Sequence, residues 1–318
     1  MTKNEKLKRE KSLATARELR FFNNFEALKL RAEIMQGLDK VESPDDWIKV
    51  IWYSEAVGGK VVRFKAGNPY APKMGVRDDE RSEEQKNEIR LKESLSRTKR
   101  RIFEISACNP WTWFFTGTLD GEKCDREDLN NTFKRLSQFL RDYRKKQDGE
   151  RVVYLIIPEQ HKDGAWHFHG LIHGLCTDEL YKFTTKDKIP AKLKKQIKEG
   201  TDIYTWREYE KRFGWATFTA VRDYNAITRY ITKYITKDLQ KANLGSNRHL
   251  YYASKGLAKP EVLAEGHSKY GFFPISDFEN DWVHITEIYE REEAETIIKL
   301  CINGDLDSVD NDKIEYVQ

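Results

Sequence analysis

Apolar side chains recur along this chain in two rhythms, every third or fourth residue and every second. In the Lys/Arg-rich stretch 1–40, Leu19, Phe22, Phe25 and Leu28 stand at steps of three, which predicts a helix. The segment WIKVIWYSEAVGGKVVRFKAG, 47–67, predicts two strands around a Gly-Gly turn. NPYAPKMGVRDDERSEEQ follows, bearing Pro and Gly and then dense charge. It predicts an exposed connector and a domain boundary. A helix is expected from Glu84 to Ser106, with Ile89, Leu91, Leu95, Ile102 and Ile105 on its apolar side and Asn109-Pro110-Trp111 as its stop. WTWFFTGTLD, 111–120, predicts a strand. Leu129, Phe133, Leu136 and Leu140 mark an amphipathic helix over 126–146. RVVYLIIPEQ and AWHFHGLIHGL predict a hairpin turning at His161–Gly164. WATFTAVRD predicts a fourth strand. A last helix covers AITRYITKYITKDLQ, capped by Asp223 or Asn225.

This order, β-α-β-β-α-β-α, predicts an α+β fold of ferredoxin-like type, an antiparallel sheet with helices on one face. Three regions are expected: an N-terminal accessory region 1–80, a central domain 81–262 and an acidic C-terminal region 263–318.

Composition changes this picture in two respects. The net charge of +4 conceals an asymmetry. Residues 271–318 hold 13 acidic against 3 basic side chains, which leaves +14 on the first 270 residues. A basic body with an acidic tail suits a polyanionic partner for the body, and the tail could shield that surface or recruit other proteins. No apolar run reaches the roughly 18–20 residues of a spanning helix, and the basic, polar N-terminus lacks the apolar core of a secretory signal. Cys108, Cys124, Cys176 and Cys301 are scattered without CxxC spacing. They predict reduced thiols in a cytoplasmic protein, with neither a zinc knuckle nor a disulfide framework. No G-x-x-x-x-G-K-[ST] occurs, so a fused helicase is not expected.

The candidate chemistry sits on the hairpin and on the last helix. Strand side chains alternate faces, so His167 and His169 point the same way while Trp166 and Phe168 point the other. A three-residue loop of Lys162, Asp163 and Gly164 sets Glu159 opposite His167. Two imidazoles and a carboxylate suit a divalent ion with open positions, Mn²⁺ or Mg²⁺, and Zn²⁺ would fit too. Exposed strand positions can also hold such residues without any ligand. His173 shares the parity but lies two pleats on, in a supporting role. His161 is expected in solvent.

On the helix, Tyr230 and Tyr234 are four apart, as are Lys233 and Lys237, and all four share one sector beside the stripe Ile227, Ile231, Ile235 and Leu239. An amphipathic helix with tyrosines at a core edge would look the same. Beside the histidines, however, the phenols become candidate nucleophiles. A phenol titrates near pH 10 and needs a cation to favour its anion. Lys and a divalent ion both supply one.

Three motifs in this order resemble the HUH endonucleases, in particular rolling-circle replication initiators of small phages and plasmids. FFTGTLD (114–120) resembles the first, HFHG (167–170) the His-hydrophobic-His motif, and YITKYITK (230–237) the catalytic helix. LYYASKGLAKPEV (250–262) resembles the strand and turn that follow this helix in filamentous-phage-like members. The resemblance spans roughly 85–260. It implies a metal held by His167, His169 and Glu159, and nicking of one origin strand through a 5′-phosphotyrosine. Tyr230, ahead of Tyr234, would attack, with Lys233 and Lys237 stabilising charge. Rejoining follows. Single-stranded origin DNA, a host helicase and a DNA polymerase are the implied partners, in the bacterial cytoplasm. Asp120 replaces the commoner Thr of the first motif, which leaves the roles of Thr116 and Thr118 open. The region 1–80 and the Lys-rich stretch 189–199 are expected to contact DNA, and Tyr204 and Trp206 to stack on its bases. A relaxase or single-tyrosine transposase shares the chemistry. A non-enzymatic nucleic-acid-binding regulator and a water-using metal hydrolase are the readings from other classes.

Overall fold

The computed structural model describes residues 46–65, 82–145, 151–239, 249–268 and 273–303, without the side chains of 144–145 and 233–239. The helix expected within 1–40 and the connector at 68–81 lie outside them. The chain begins with β1 (Trp47–Ser54) and β2 (Gly58–Phe64). It continues through α1 (Glu83–Cys108), β3 (Trp113–Thr118), α2 (Leu129–Lys145), β4 (Val153–Gln160) and β5 (Trp166–His173). Next come β6 (Leu180–Lys182), α3 (Ala191–Lys198), β7 (Ile203–Trp206), α4 (Arg207–Arg212), β8 (Ala216–Ala220) and α5 (Tyr224–Leu239). It closes with β9 (Tyr252–Ala253), β10 (Glu261–His267), β11 (Phe278–Glu279), β12 (Val283–Ile288) and α6 (Arg291–Ile297), which runs into a π-helical turn at Ile298–Asn303. The fold is α+β, with helices packed on two antiparallel sheets, and its contacts divide into two units.

One unit joins residues 1–79 with 260–318. Its sheet has the order β10-β1-β2-β12-β11. The first hairpin turns at Glu55–Val57, and Gly58 and Gly59 open β2 rather than forming the turn. Ile48, Val50, Trp52 and Val61 pack with Ile288, Ile297 and Leu300. Residues 1–80 and 263–318, expected as separate regions, therefore contribute strands to one sheet. Hydrogen bonding between strands far apart in sequence joins them, and no local pattern encodes that pairing.

The other unit, residues 80–259, carries a seven-stranded sheet of order β6-β7-β8-β3-β5-β4-β9. β6 and β7 are short edge strands absent from the sequence reading, because three and four residues are too few to show a period. Helices cover both faces, where the pattern predicted one. On the first face, Phe133, Leu136 and Leu140 of α2 meet Phe115, Phe168, Ile172 and Phe218 in a largely aromatic core. On the second, Ile102 and Ile105 of α1 and Ile231 of α5 meet Leu155, Ile157 and Leu171. Each such aliphatic side chain contributes on the order of 1.5–3 kcal/mol when fully buried.

Local chemistry fixes the ends of these elements. Ser82 caps α1 in a reciprocal box, its Oγ accepting from Gln85 N at 3.2 Å while its own N donates to Gln85 Oε1 at 3.1 Å. At the far end the Asn109 amide donates to the Ile105 carbonyl at 2.8 Å, and its oxygen accepts from Ala258 N at 2.8 Å. Asp223, not Asn225, caps α5, its Oδ1 accepting from Ala226 N at 2.8 Å. Tyr224 then pins that helix to the start of β3: its hydroxyl donates to Trp111 O at 3.0 Å and accepts from Trp111 N at 3.1 Å.

Candidate active site

The hairpin that builds the site turns through Lys162, Asp163 and Gly164. Gly164 N donates to His161 O at 3.0 Å, and Gly164 takes φ 86°, a left-handed conformation that costs glycine little. That turn fixes the register. Glu159 lies opposite His167, and Ile157 opposite His169, as the sequence predicts. On the other side of β5, Thr118 pairs with His167 and Thr116 with His169. Both histidines, both threonines and Glu159 thus emerge on the face where α1 and α5 pack.

The side chains close into a small polar network. His169 Nε2 lies 2.7 Å from Glu159 Oε2, so the carboxylate reaches diagonally past its partner in register. His169 Nδ1 faces Thr116 Oγ1 at 3.4 Å, and His167 Nδ1 faces Thr118 Oγ1 at 3.3 Å. The two threonines whose roles the sequence left open therefore anchor the inner nitrogen of each ring. His161, expected in solvent, instead stacks flat on His167, with ring centroids 3.6 Å apart and planes 13° apart. Sequence reasoning missed it. The signal was its place at the end of β4, beside the turn that brings β5 back. His173 is held away from this cluster by Thr112, its Nδ1 2.7 Å from Thr112 Oγ1.

Burial sets the charge state of the rings. His167 titrates below the ordinary imidazole value because it is desolvated, with His161 and His169 adding repulsion. His169 also titrates low through desolvation, although its bond to Glu159 opposes the shift. Both rings are therefore neutral at neutral pH, the form that can donate a lone pair to a metal.

Among the described residues no three His, Cys, Asp or Glu side chains stand in a metal-ready arrangement. Glu159 and His169 lie in direct contact. Two ligands of one ion at about 2.0–2.2 Å each would stand roughly 3 Å apart, so this contact must open slightly to admit a cation. The donor types suit one. Two neutral imidazoles and a carboxylate are nitrogen and oxygen ligands for Mn²⁺, Mg²⁺ or Zn²⁺. With each Nδ1–H donating to its threonine, each Nε2 lone pair is left for the ion.

α5 brings the tyrosines to the same face. Tyr230 packs edge-on against Phe114, with centroids 5.5 Å apart, and Phe114 lies parallel to the His169 ring at 6.5 Å. Phe114 is thus the spacer between phenol and imidazole. Tyr230 remains 45% exposed, open to a strand arriving from solvent. Tyr234, Lys233 and Lys237 lie on α5, but their side chains are outside those described. Trp206 is 1% exposed and packs edge-on against Tyr143, so the base-stacking role expected of it is excluded. Tyr204 is part-buried and packs against Trp113, with centroids 5.2 Å apart. Trp111, Trp113 and Trp166 are buried, as the sequence predicts. No helix among the described residues is long and apolar enough to cross a membrane.

No curated protein sequence and no solved structure matches this chain. Residues 112–239 match the model of a family of replication-associated proteins named after the ORF2 replication protein. That stretch begins at β3 and ends with α5, so the histidine face and the helix packed on it are the part of this chain that is similar to a replication initiator family.

Proposed function

We propose that residues 82–259 form a metal-dependent nicking-joining endonuclease of the HUH type, which initiates rolling-circle replication by cutting one strand of origin DNA. The observation that carries this reading is the packing of α5 on the histidine face, with Tyr230 one aromatic ring away from His169. A water-using hydrolase has no need of that arrangement, and neither has a DNA-binding regulator. The match of residues 112–239 to replication-associated proteins supplies the biological setting.

His167, His169 and Glu159 would hold Mn²⁺ or Mg²⁺, and the ion would polarise the scissile phosphate and offset its developing charge. Thr116 and Thr118 fix the two rings through their inner nitrogens. A tyrosine Oη attacks phosphorus, Tyr230 first by its place beside the histidines. The O–P bond to the enzyme forms as the bond from phosphorus to the 3′-oxygen breaks, and that oxygen takes up a proton. The 5′-phosphotyrosine conserves the bond, so a later 3′-hydroxyl reverses the step and rejoins the strand. Tyr234 suits a second, alternating attack. Lys233 and Lys237 would offset phosphate charge. A host helicase and a DNA polymerase would supply unwinding and synthesis.

The test is an incubation with labelled single-stranded origin DNA and Mn²⁺, followed by denaturing electrophoresis. The expected result is an SDS-resistant adduct that needs the metal and is lost in Tyr230→Phe. Loss in Tyr234→Phe instead moves the first attack to that residue. Nicks without an adduct would mean water as nucleophile, and neither nick nor adduct would leave a binding protein.

A further inference from the structure

A second feature on the same face of the sheet is not used by the nicking chemistry. A cleft of about 570 Å³ lies between α1 and the segment 249–259. Arg101, Lys255, Lys259 and His249 line it, and among the described residues no Asp or Glu does. Lys255 and Lys259 are exposed. Arg101 makes only a loose contact with Glu104, 3.5 Å from Nη1 to Oε2. Gly256 takes φ +79°, and a Cβ there would meet Arg151 Nη1 at 3.4 Å, so a further guanidinium stands at the loop. Thr98 and Tyr251 add hydroxyls to the walls.

Cations with hydroxyls between them and no opposing carboxylate form a surface for several phosphates in a row. The Tyr251 and His249 rings offer faces to bases. Ile105, Tyr251, Ala253 and Leu257, around the cleft, pack in the aliphatic core of the face that also bears His167 and His169. Ala253 pairs with Leu155 on β4, four residues before Glu159. At about 3.3 Å per residue that is roughly 13 Å along the strand, some four phosphates at the 3.4 Å spacing of one DNA strand.

We propose that this cleft seats the sugar-phosphate backbone of single-stranded DNA a few nucleotides from the cut. The proposal rests on the nicking reading for its orientation but makes a separate prediction about binding. The experiment uses the full chain with Tyr230→Phe and Tyr234→Phe, so that no covalent product interferes. A fluorescein-labelled 20-nucleotide single strand is titrated at several salt concentrations, with anisotropy as readout. Lys255→Gln with Lys259→Gln is expected to weaken binding several-fold at low salt and to lower the log–log salt slope by about 1.4, or 0.7 for each lost phosphate contact. A control pair on α2 at the opposite face, Lys134→Gln with Arg141→Gln, removes the same charge and is expected to leave the slope unchanged. Equal loss in both pairs, or no loss in the cleft pair, overturns the cleft. If the wild type gives no adduct yet the cleft pair still loses binding, the nicking reading falls and the cleft stands. An adduct in the wild type with unaltered strand binding in the cleft pair gives the reverse.

Discussion

The two faces of the seven-stranded sheet do different work with the same strands. On one face α2 closes over Phe115, Phe168, Trp206 and Phe218, an apolar layer whose aromatic rings meet edge to face or tilted. On the other, α1 and α5 cover Leu155, Ile157 and Leu171 at one end and leave Glu159, His167 and His169 at the other. β5 serves both. Trp166, Phe168 and Ile172 go to the aromatic side, His167, His169 and Leu171 to the other. A period of two lets one eight-residue strand be rigid on one side and reactive on the other. The aromatic face holds the imidazoles in place without touching them.

Adjacent substitutions on β5 should therefore part company. His169→Ala is expected to abolish the metal-dependent adduct, a loss beyond the roughly 10–100-fold typical of groups that merely orient ligands, with little change in melting temperature. Phe168→Ala should cost about 3–5 kcal/mol of stability, read from denaturant unfolding. Should His169→Ala unfold the unit instead, the division between faces is wrong. Thr116→Val and Thr118→Val are the intermediate case. Each should weaken metal affinity by about 10–100-fold, measured by calorimetry with Mn²⁺, at nearly unchanged fold.

Smaller effects sharpen the contrast from the structural side. A Cβ on Gly117 would collide with the Phe115 and Tyr209 rings, on the aromatic face. Gly117→Ala should then destabilise by about 1–3 kcal/mol. Tyr224→Phe leaves Trp111 N and O without their partner, at about 1–3 kcal/mol, and should lower adduct yield because it loosens α5 over the histidines. The pH dependence is the mildest test. His167 and His169 titrate below 6.5 in the fold, so the unfolded chain binds more protons than the native one as the pH falls through 6.5. Their contribution to stability is complete above that value and declines below it, and metal binding should fail over the same acid range. A melting temperature that rose on acidification from pH 7 to 5 would contradict the burial of these rings.

Much of the site was legible because it is local. Strand alternation put both histidines on one face, and the turn at Lys162–Gly164 set Glu159 opposite His167. The diagonal bond from Glu159 to His169 and the stacking of His161 depend on side-chain rotamers, which spacing does not encode. Trp206 shows the opposite failure. An aromatic residue beside an arginine looked suited to bases, yet β7 turns it into the core beneath α2.

The sequence by itself determined which residues share a strand face or a helix sector, since periods of 2 and 3.6 are properties of the backbone. It determined the turns and caps for the same reason: Gly164, Ser82 and Asp223 act on neighbours within three residues. Only the tertiary structure decided that α5 lies over the histidines, that helices cover both faces, and that strands from both ends of the chain form one sheet. Those choices are made by burial and hydrogen bonding between segments tens to hundreds of residues apart. Their pairing is selected by total buried surface, which no window of sequence contains.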